Sequence, residues 1–133
     1  MKIVDIEGIG PVYAAKLNEL GIRTTDALLD KGCGPEERKQ LAASAGISES
    51  LILEWVNLSD LYRIKGVGSE YSDLLEEAGV DTVVELATRV PENLLDKMAV
   101  VNKEKNLVNK MPGLNQVKKW IAQAKKMPRV VTY

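Results

Sequence analysis

The sequence predicts an all-α fold built from two copies of one helical unit. Apolar residues recur at helical spacing, proline and glycine stand where helices should begin and end, and no useful strand-like alternation appears inside either copy. With 133 residues, 45% hydrophobic and 28% charged, the composition is that of an ordinary globular protein. We therefore expect a single domain over residues 1–133, with repeats at 6–63 and 64–127 and a short apolar tail at 128–133.

The repeat is visible when the chain is slid by 58 positions, which aligns IEGIGPVYAAKLNELGIRTTDALL with IKGVGSEYSDLLEEAGVDTVVELA. The two tyrosines Tyr13 and Tyr71 coincide, and a further shift of seven brings Trp55 onto Trp120. Neither copy is large enough to bury a sufficient core alone. We therefore predict that the two repeats pack around a shared core and that both tryptophans are buried.

In the first repeat, proline at the first helical position and glycine after the last one delimit the helices. This punctuation, with threonine and serine caps, predicts four helices over about residues 11–20, 24–31, 35–45 and 48–63. The fourth helix carries a broad apolar stripe and should lie near the centre of the fold. Its apolar residues are Leu51, Ile52, Trp55, Leu58 and Tyr62.

The second repeat follows the same plan. It predicts a helix over about 69–78, a short one after Thr82, a third over about 91–101 and a last one over about 114–127. The stretch NKEKNLVNKMPG, residues 102–113, is predicted to be a looser connection.

The two ends differ from the rest of the chain. KIVDI at 2–6 and RVVTY at 129–133 are rich in β-branched residues, which favour extended structure, and Pro128 prevents simple continuation of the last helix. We expect both tails to be ordered against the domain and to pair as a two-strand ribbon beside the first hairpin. The edges of such a ribbon could recruit a second copy, so the expected state is a monomer or a weak homodimer.

Composition argues against catalysis. The chain has no histidine and a single cysteine, Cys33, which removes the commonest general base and close to excludes a structural zinc site. Its carboxylates are strung along helix faces and do not converge as magnesium-dependent nucleases require. We expect no catalytic residue and no metal site. The lone cysteine, the absence of a signal peptide and the absence of a run of about 20 apolar residues favour a cytoplasmic protein without a membrane span.

Charge is unevenly distributed. Residues 1–88 carry 8 Lys/Arg against 16 Asp/Glu, and residues 89–133 carry 10 against 3. The last predicted helix is amphipathic, and no acid occurs from Lys105 to Tyr133. Its outward face consists of Lys118, Lys119, Lys125 and Lys126. Such a face fits a polyanion or an acidic protein surface, although most lysine faces are merely solvated.

The pattern of a glycine-bracketed turn, a helix and then Gly-Ile/Val-x-Thr resembles the helix-hairpin-helix motif. Two such motifs resemble the tandem domains of DNA repair and recombination proteins. The ending KKWIAQAKKMPRVVTY makes the chain more similar still to an uncharacterised bacterial family of unknown function, sometimes labelled flap endonuclease-like. The resemblance implies that the hairpins contact nucleic-acid backbone. In related motifs the hairpin carbonyls can hold a monovalent cation, and the sequence indicates no other cofactor.

The two hairpins are predicted to differ. Gly8, Ile9 and Gly10 precede a helix that carries Lys16, with Glu7 at the tip, so phosphate contact competes there with a purely structural turn. Gly66, Val67 and Gly68 precede a helix with four acids, which would repel phosphate, so this hairpin is predicted to be structural or protein-facing. The four acids are Glu70, Asp73, Glu76 and Glu77.

The first functional hypothesis is a non-catalytic module that binds nucleic acid weakly through the first hairpin and the basic last helix. The second is a protein-interaction or assembly module with no nucleic-acid role, which uses the same hairpins and in which the acidic and basic parts of the chain engage partners or each other. An enzyme of unknown type is the third. The sequence leaves the nucleic acid and the partner unidentified.

Overall fold

The computed structural model describes residues 1–6 and 8–133; the predicted tip residue Glu7 lies outside the described residues. Every regular element among them is helical, which confirms the all-α fold class. A single turn of 3-10 helix at Ile3–Asp5 precedes eight α-helices. They are α1 Gly10–Glu19, α2 Thr25–Gly32, α3 Pro35–Ala45, α4 Glu49–Leu61, α5 Ser69–Glu77, α6 Val83–Ala87, α7 Pro91–Lys105 and α8 Leu114–Lys125.

The predicted punctuation sets most of these boundaries. Proline occupies the first turn of α1, α3 and α7, where its missing N–H has no intrahelical partner to lose. Matching threonines cap α2 and α6: Thr24 Oγ1 accepts from Ala27 N at 3.1 Å, and Thr82 Oγ1 accepts from Glu85 N at 3.3 Å. Gly46 ends α3 in the left-handed conformation with φ +67°.

Helix α7 is longer than predicted. It continues through residues 102–105, which contain no helix breaker, and ends where Asn106 adopts φ 51°. The connection to α8 is also less loose than expected. The Asn102 side chain donates to Val108 O at 3.1 Å and accepts from Val108 N at 2.9 Å, and Val108 is buried.

The described residues divide into two compact units. The first comprises Met1–Asp60 together with Val130–Tyr133, and the second comprises Leu61–Arg129. Trp55 in the first unit and Trp120 in the second are each 1% exposed, which confirms that both tryptophans are buried. The core of the second unit also includes Leu61, Leu74, Leu75, Val80, Val83, Leu86, Met98, Val117 and Ile121.

An aromatic pair recurs in the two units. The ring centroids of Tyr13 and Trp55 lie 5.2 Å apart with an interplanar angle of 55°. Those of Tyr71 and Trp120 lie 5.3 Å apart at 54°. Tilted pairs at this separation are favourable for aromatic rings. The residues that the sequence alignment superimposed therefore make the same contact in each unit.

The N-terminal tail is packed against the first unit. Thr25 N donates to Met1 O and Ile3 N donates to Arg23 O, each at 2.9 Å, and Lys2 forms an isolated antiparallel bridge with Thr24. Ile3 and Ile6 are each 2% exposed. This segment is therefore held by the connection between α1 and α2.

The C-terminal tail packs on a different part of the same unit. Thr132 N donates to Cys33 O at 2.8 Å, directly after α2, and Val131 is 2% exposed. Both tails are ordered as predicted. The predicted ribbon is wrong, because each tail satisfies its backbone groups on another part of the first unit, and the described residues contain no β-strand. The dimerisation route through ribbon edges is lost with it.

Candidate nucleic-acid interface

The first hairpin is an open turn that leads into α1. Gly8 and Gly10 have φ values of +87° and +67°, which L-residues with a Cβ rarely adopt. Between them Ile9 is 2% exposed and anchors the turn in the core. Chain neighbours aside, a Cβ added to either glycine would meet no heavy atom of the described residues within 4 Å. These glycines are therefore required for backbone conformation, and the described residues leave space beside them.

Lys16 follows the hairpin on α1. Its Nζ lies 5.9 Å from the centroid of the Tyr13 ring, which itself packs on Trp55. An ammonium group over an aromatic face at this distance is attracted to the ring. Lys16 is half-buried. Its contact with Tyr13 helps to position this side chain, which is the lysine predicted to act with the first hairpin.

The second hairpin does not reproduce the first. Gly66 has φ +96°, but Gly68 has φ −98° and is extended, whereas its counterpart Gly10 is left-handed. A Cβ on Gly66 would lie 3.1 Å from Trp120 Nε1, so this turn is packed closely against α8. Val67 is 5% exposed and fills the same position as Ile9.

The Gln123 side chain on α8 binds both backbone groups of Lys65 at the tip of the second hairpin. Gln123 Oε1 accepts from Lys65 N at 3.0 Å, and Gln123 Nε2 donates to Lys65 O at 3.3 Å. The Lys65 side chain remains exposed. The basic helix and a hairpin are therefore brought together within the second unit, but the hairpin is the one predicted to be structural. The lysine in IKGVG is Lys65, so the motif itself points to this residue. No feature of the sequence points to Gln123 as its partner.

An open concavity of about 480 Å³ lies beside this hairpin. Its wall carries one carboxylate, Glu70, and one ammonium, Lys110, while the Tyr71 hydroxyl donates to Lys110 O at 3.0 Å. The lining residues are Gly66, Gly68, Ser69, Glu70, Tyr71, Asn109 and Lys110. Of the other acids on α5, Glu77 forms an ion pair with Lys105. Its hydrogen bond and its negative charge raise the pKa of Lys105.

Helix α8 and its C-cap residue Lys126 present the predicted lysine face. Lys118, Lys119, Lys125 and Lys126 are all exposed, while the opposite side of the helix is buried through Val117, Trp120, Ile121 and Ala124. Lys118 Nζ lies 4.0 Å from Glu92 Oε1 on α7. This exposed pair is weak, so it reduces the local positive charge only in part.

The predicted contact residues divide between the units. Gly8, Ile9, Gly10 and Lys16 belong to the first unit, whereas Lys118, Lys119, Lys125 and Lys126 belong to the second.

A family described as a domain of unknown function, DUF4332, matches residues 7–127. The chain belongs to the DUF4332 family. The match spans both hairpins and all eight α-helices, and it ends before the apolar tail. This agrees with the resemblance to an uncharacterised family. Neither the curated proteins nor the solved structures contain a match to this chain.

The described part of this DUF4332 chain contains no group of three or more cysteine, aspartate and glutamate residues that could hold a metal ion. The carboxyl group of Asp81 has a perturbed pKa. Burial and then the charge of Glu85 raise the pKa of Asp81, and Arg89 opposes the rise. Asp81 precedes α6, where its backbone N donates to Glu85 Oε2 at 3.2 Å and Arg89 pairs with Glu85 at 2.8 Å. This arrangement stabilises the start of α6.

None of the described helices is long and apolar enough to cross a membrane.

Proposed function

We propose that this chain is a non-catalytic module that binds the backbone of nucleic acid, with α8 as its main contact surface. The observation that carries the proposal is the exposed lysine face of α8, set in a stretch without a single acid from Lys105 to Tyr133. Lysines that neutralise phosphates supply most sequence-independent affinity for nucleic acid. The aliphatic and aromatic residues on the other side of α8 fix this face toward solvent.

The first hairpin is the second proposed contact. The space that the described residues leave beside Gly8 and Gly10 would admit a phosphate oxygen, and the backbone N–H groups at the start of α1 lie at the positive end of the helix. Lys16 would add one positive charge. This assignment rests on the resemblance to tandem helix-hairpin-helix domains, and a monovalent cation at a hairpin belongs to the same proposal.

The absence of catalysis is likewise proposed. Histidine is missing from the sequence, and Cys33 lies beside backbone carbonyls and the tail, with its Sγ 3.6 Å from Asp30 O. The commonest activating base of a nucleophilic cysteine, histidine, is therefore missing. A cytoplasmic location fits a chain with one unpaired cysteine.

The test is binding of labelled duplex and single-stranded DNA, measured by fluorescence anisotropy at about 50 and about 200 mM salt. With four lysines engaged, affinity should fall roughly a hundredfold between these conditions. Changing Lys118, Lys119, Lys125 and Lys126 to glutamate should abolish binding without changing stability, because exposed charges contribute little to it. If the wild-type chain binds and the fourfold variant binds equally well, α8 is not the contact surface.

A matched control has the same net charge as the fourfold α8 variant but carries its substitutions elsewhere. It carries Lys2→Glu, Arg23→Glu, Lys31→Glu and Lys39→Glu, all at exposed positions of the first unit. Binding should be retained to a much greater extent in this control. Lys16→Glu, measured separately, tests the first hairpin and should weaken binding severalfold.

The second candidate is a protein-interaction module, favoured by the acids on α5 beside the second hairpin. Glu70 lies at the rim of the open concavity, where it would oppose phosphate and attract a basic partner. A wild-type chain that binds neither form of DNA nor RNA at low salt would support this candidate over the first.

A further inference from the structure

The last four residues of the chain occupy a groove on the first unit. Val131 is 2% exposed, and the following residue is bound through both of its backbone groups: Thr132 N donates to Cys33 O at 2.8 Å, and Thr132 O accepts from Arg38 Nη2 at 2.6 Å. The groove therefore recognises an extended backbone directly after a buried aliphatic side chain.

Arg38 is the centre of this groove. Its side chain is buried, with 5% exposure for the whole residue, and Nη1 donates to Gly32 O at 3.0 Å and to Cys33 O at 2.9 Å. The guanidinium thus links the end of α2 to the tail through carbonyl oxygens. Its planar arrangement of donors allows one side chain to hold several acceptors at fixed positions.

The groove also recognises the final aromatic residue. Arg38 Cζ lies 5.9 Å from the centroid of the Tyr133 ring, and the Tyr133 hydroxyl donates to Asn57 Oδ1 at 3.3 Å. A ligand for this site is therefore an extended peptide with a buried aliphatic residue, one residue bound through its backbone, and a tyrosine. The sequence Val-Val-Thr-Tyr meets these requirements.

This occupant reaches the groove from the far end of the sequence. Arg38 and Thr132 are 94 positions apart, and the tail follows α8, which belongs to the other unit. Pro128 cannot continue a helix, so the tail leaves as a separate extended segment. Its contacts with the groove would be the same if the four residues came from another molecule, and exchange of identical segments is a low-cost route to dimers.

We propose that this groove is an acceptor for the Val130–Tyr133 segment of a second copy of the chain, and that two copies exchange tails reciprocally. The second copy is the partner because its tail is the sequence that the groove fits. Reciprocal exchange fills both grooves and keeps the hydrogen bonds of Thr132 with Cys33 and Arg38 in each of them. Higher protein concentration shifts the equilibrium from the internal contact to the exchanged one, since only the latter is bimolecular.

Complementation between two full-length variants tests the proposal. Val131→Asp disables the tail and keeps the groove, whereas Arg38→Met disables the groove and keeps the tail. Each variant alone should be monomeric and should melt below the wild type. When mixed at high micromolar concentration, they should form a heterodimer with one native groove, visible by native mass spectrometry as a species of mixed mass with a raised melting temperature.

A mixture that contains monomers alone, with unchanged melting, would overturn the proposal. So would dimers formed equally well by either variant alone, because those would use another surface. In case Arg38→Met does not fold, Asn57→Ala serves as the second groove variant.

A labelled peptide of residues 128–133 gives an independent measurement. It should bind the Val131→Asp chain, and it should bind at least tenfold more weakly to the wild type, whose groove is filled. Addition of Asn57→Ala to the Val131→Asp chain should weaken peptide binding, with far-UV circular dichroism as the check on folding. No binding to the Val131→Asp chain would show that the groove does not accept this segment from another molecule.

Discussion

Trp120 lies directly against Gly66: a Cβ on Gly66 would stand 3.1 Å from the indole nitrogen Nε1. The same stretch of α8 holds the preceding residue, because Gln123 accepts from Lys65 N and donates to Lys65 O. The second hairpin is thus attached to the basic helix by a close packing contact and two hydrogen bonds. A change in the hairpin should therefore disturb the helix that carries the lysine face.

Gly66→Ala should destabilise the protein more than Gly8→Ala. Both glycines have positive φ, so each substitution should cost roughly 1–2 kcal/mol for the strained backbone. At Gly66 the new methyl group would also press on Trp120, whereas at Gly8 no described residue other than its chain neighbours lies within 4 Å of the corresponding position. Urea unfolding of the two variants measures the difference. Equal decreases in the free energy of unfolding would show that α8 accommodates the methyl group without destabilisation.

Asp81→Asn should stabilise the protein at neutral pH. The pKa of Asp81 is raised in the folded chain, so its contribution to stability is present in full below the ordinary value of 3.8 and is lost as pH rises through the raised value. Asparagine at position 81 cannot ionise, so the variant does not lose this stability as the pH rises. The urea midpoint of the variant should exceed that of the wild type at pH 7, and the advantage should shrink toward pH 3.

Asp96→Asn is the control for that measurement. Asp96 is exposed on α7, so the substitution removes one negative charge without relieving burial. If both variants show the same change at pH 7, the cause is net charge and not the environment of Asp81.

Deletion of residues 129–133 should lower the melting temperature by several degrees. The deletion exposes the site that Val131 fills and removes the Thr132 contacts with Cys33 and Arg38. Loss of one buried valine and two hydrogen bonds corresponds to about 2 kcal/mol or more. An unchanged melting curve, together with rapid exchange of the Thr132 amide in the intact chain, would contradict the observed packing.

A fragment that ends at Arg63 should not unfold cooperatively. It lacks Val130–Tyr133, which belong to the first unit, and it has about half the chain from which to build a core. Circular dichroism during urea titration should show a broad, shallow change, while the full chain shows a sharp one. A sharp transition in the fragment would refute the prediction that the two repeats depend on a shared core.

Most of the helices could be predicted because their boundaries are local. Proline, glycine and threonine act on the nearest turn of backbone, so Pro35, Gly46 and Thr82 mark ends that the structure reproduces. The error at α7 has the same origin. The polar character of residues 102–105 predicts a connection, but these residues contain no helix breaker, and the helix continues until Asn106.

The candidate interface could be predicted in part. The lysine face of α8 follows from helical periodicity alone, because the buried side of the helix is defined by Val117, Trp120, Ile121 and Ala124. The partner of Lys118 could not be predicted, since Glu92 lies on another helix and is 26 positions away in the sequence. The contact of α8 with the second hairpin is non-local for the same reason.

The sequence by itself determined the helical class, the repeat and the burial of both tryptophans, because these depend on periodicity and on composition within short stretches. Only the tertiary structure decided where the tails pack and how the two glycine turns differ. The tails are rich in β-branched residues, so their sequence favours extended structure. An extended segment can pair with any exposed backbone, so the sequence does not specify which part of the chain it binds. Arg38 supplies a partner for the C-terminal tail: it binds the nearby carbonyl oxygens of Gly32 and Cys33 together with that of Thr132, which is 94 positions away and which local sequence does not encode.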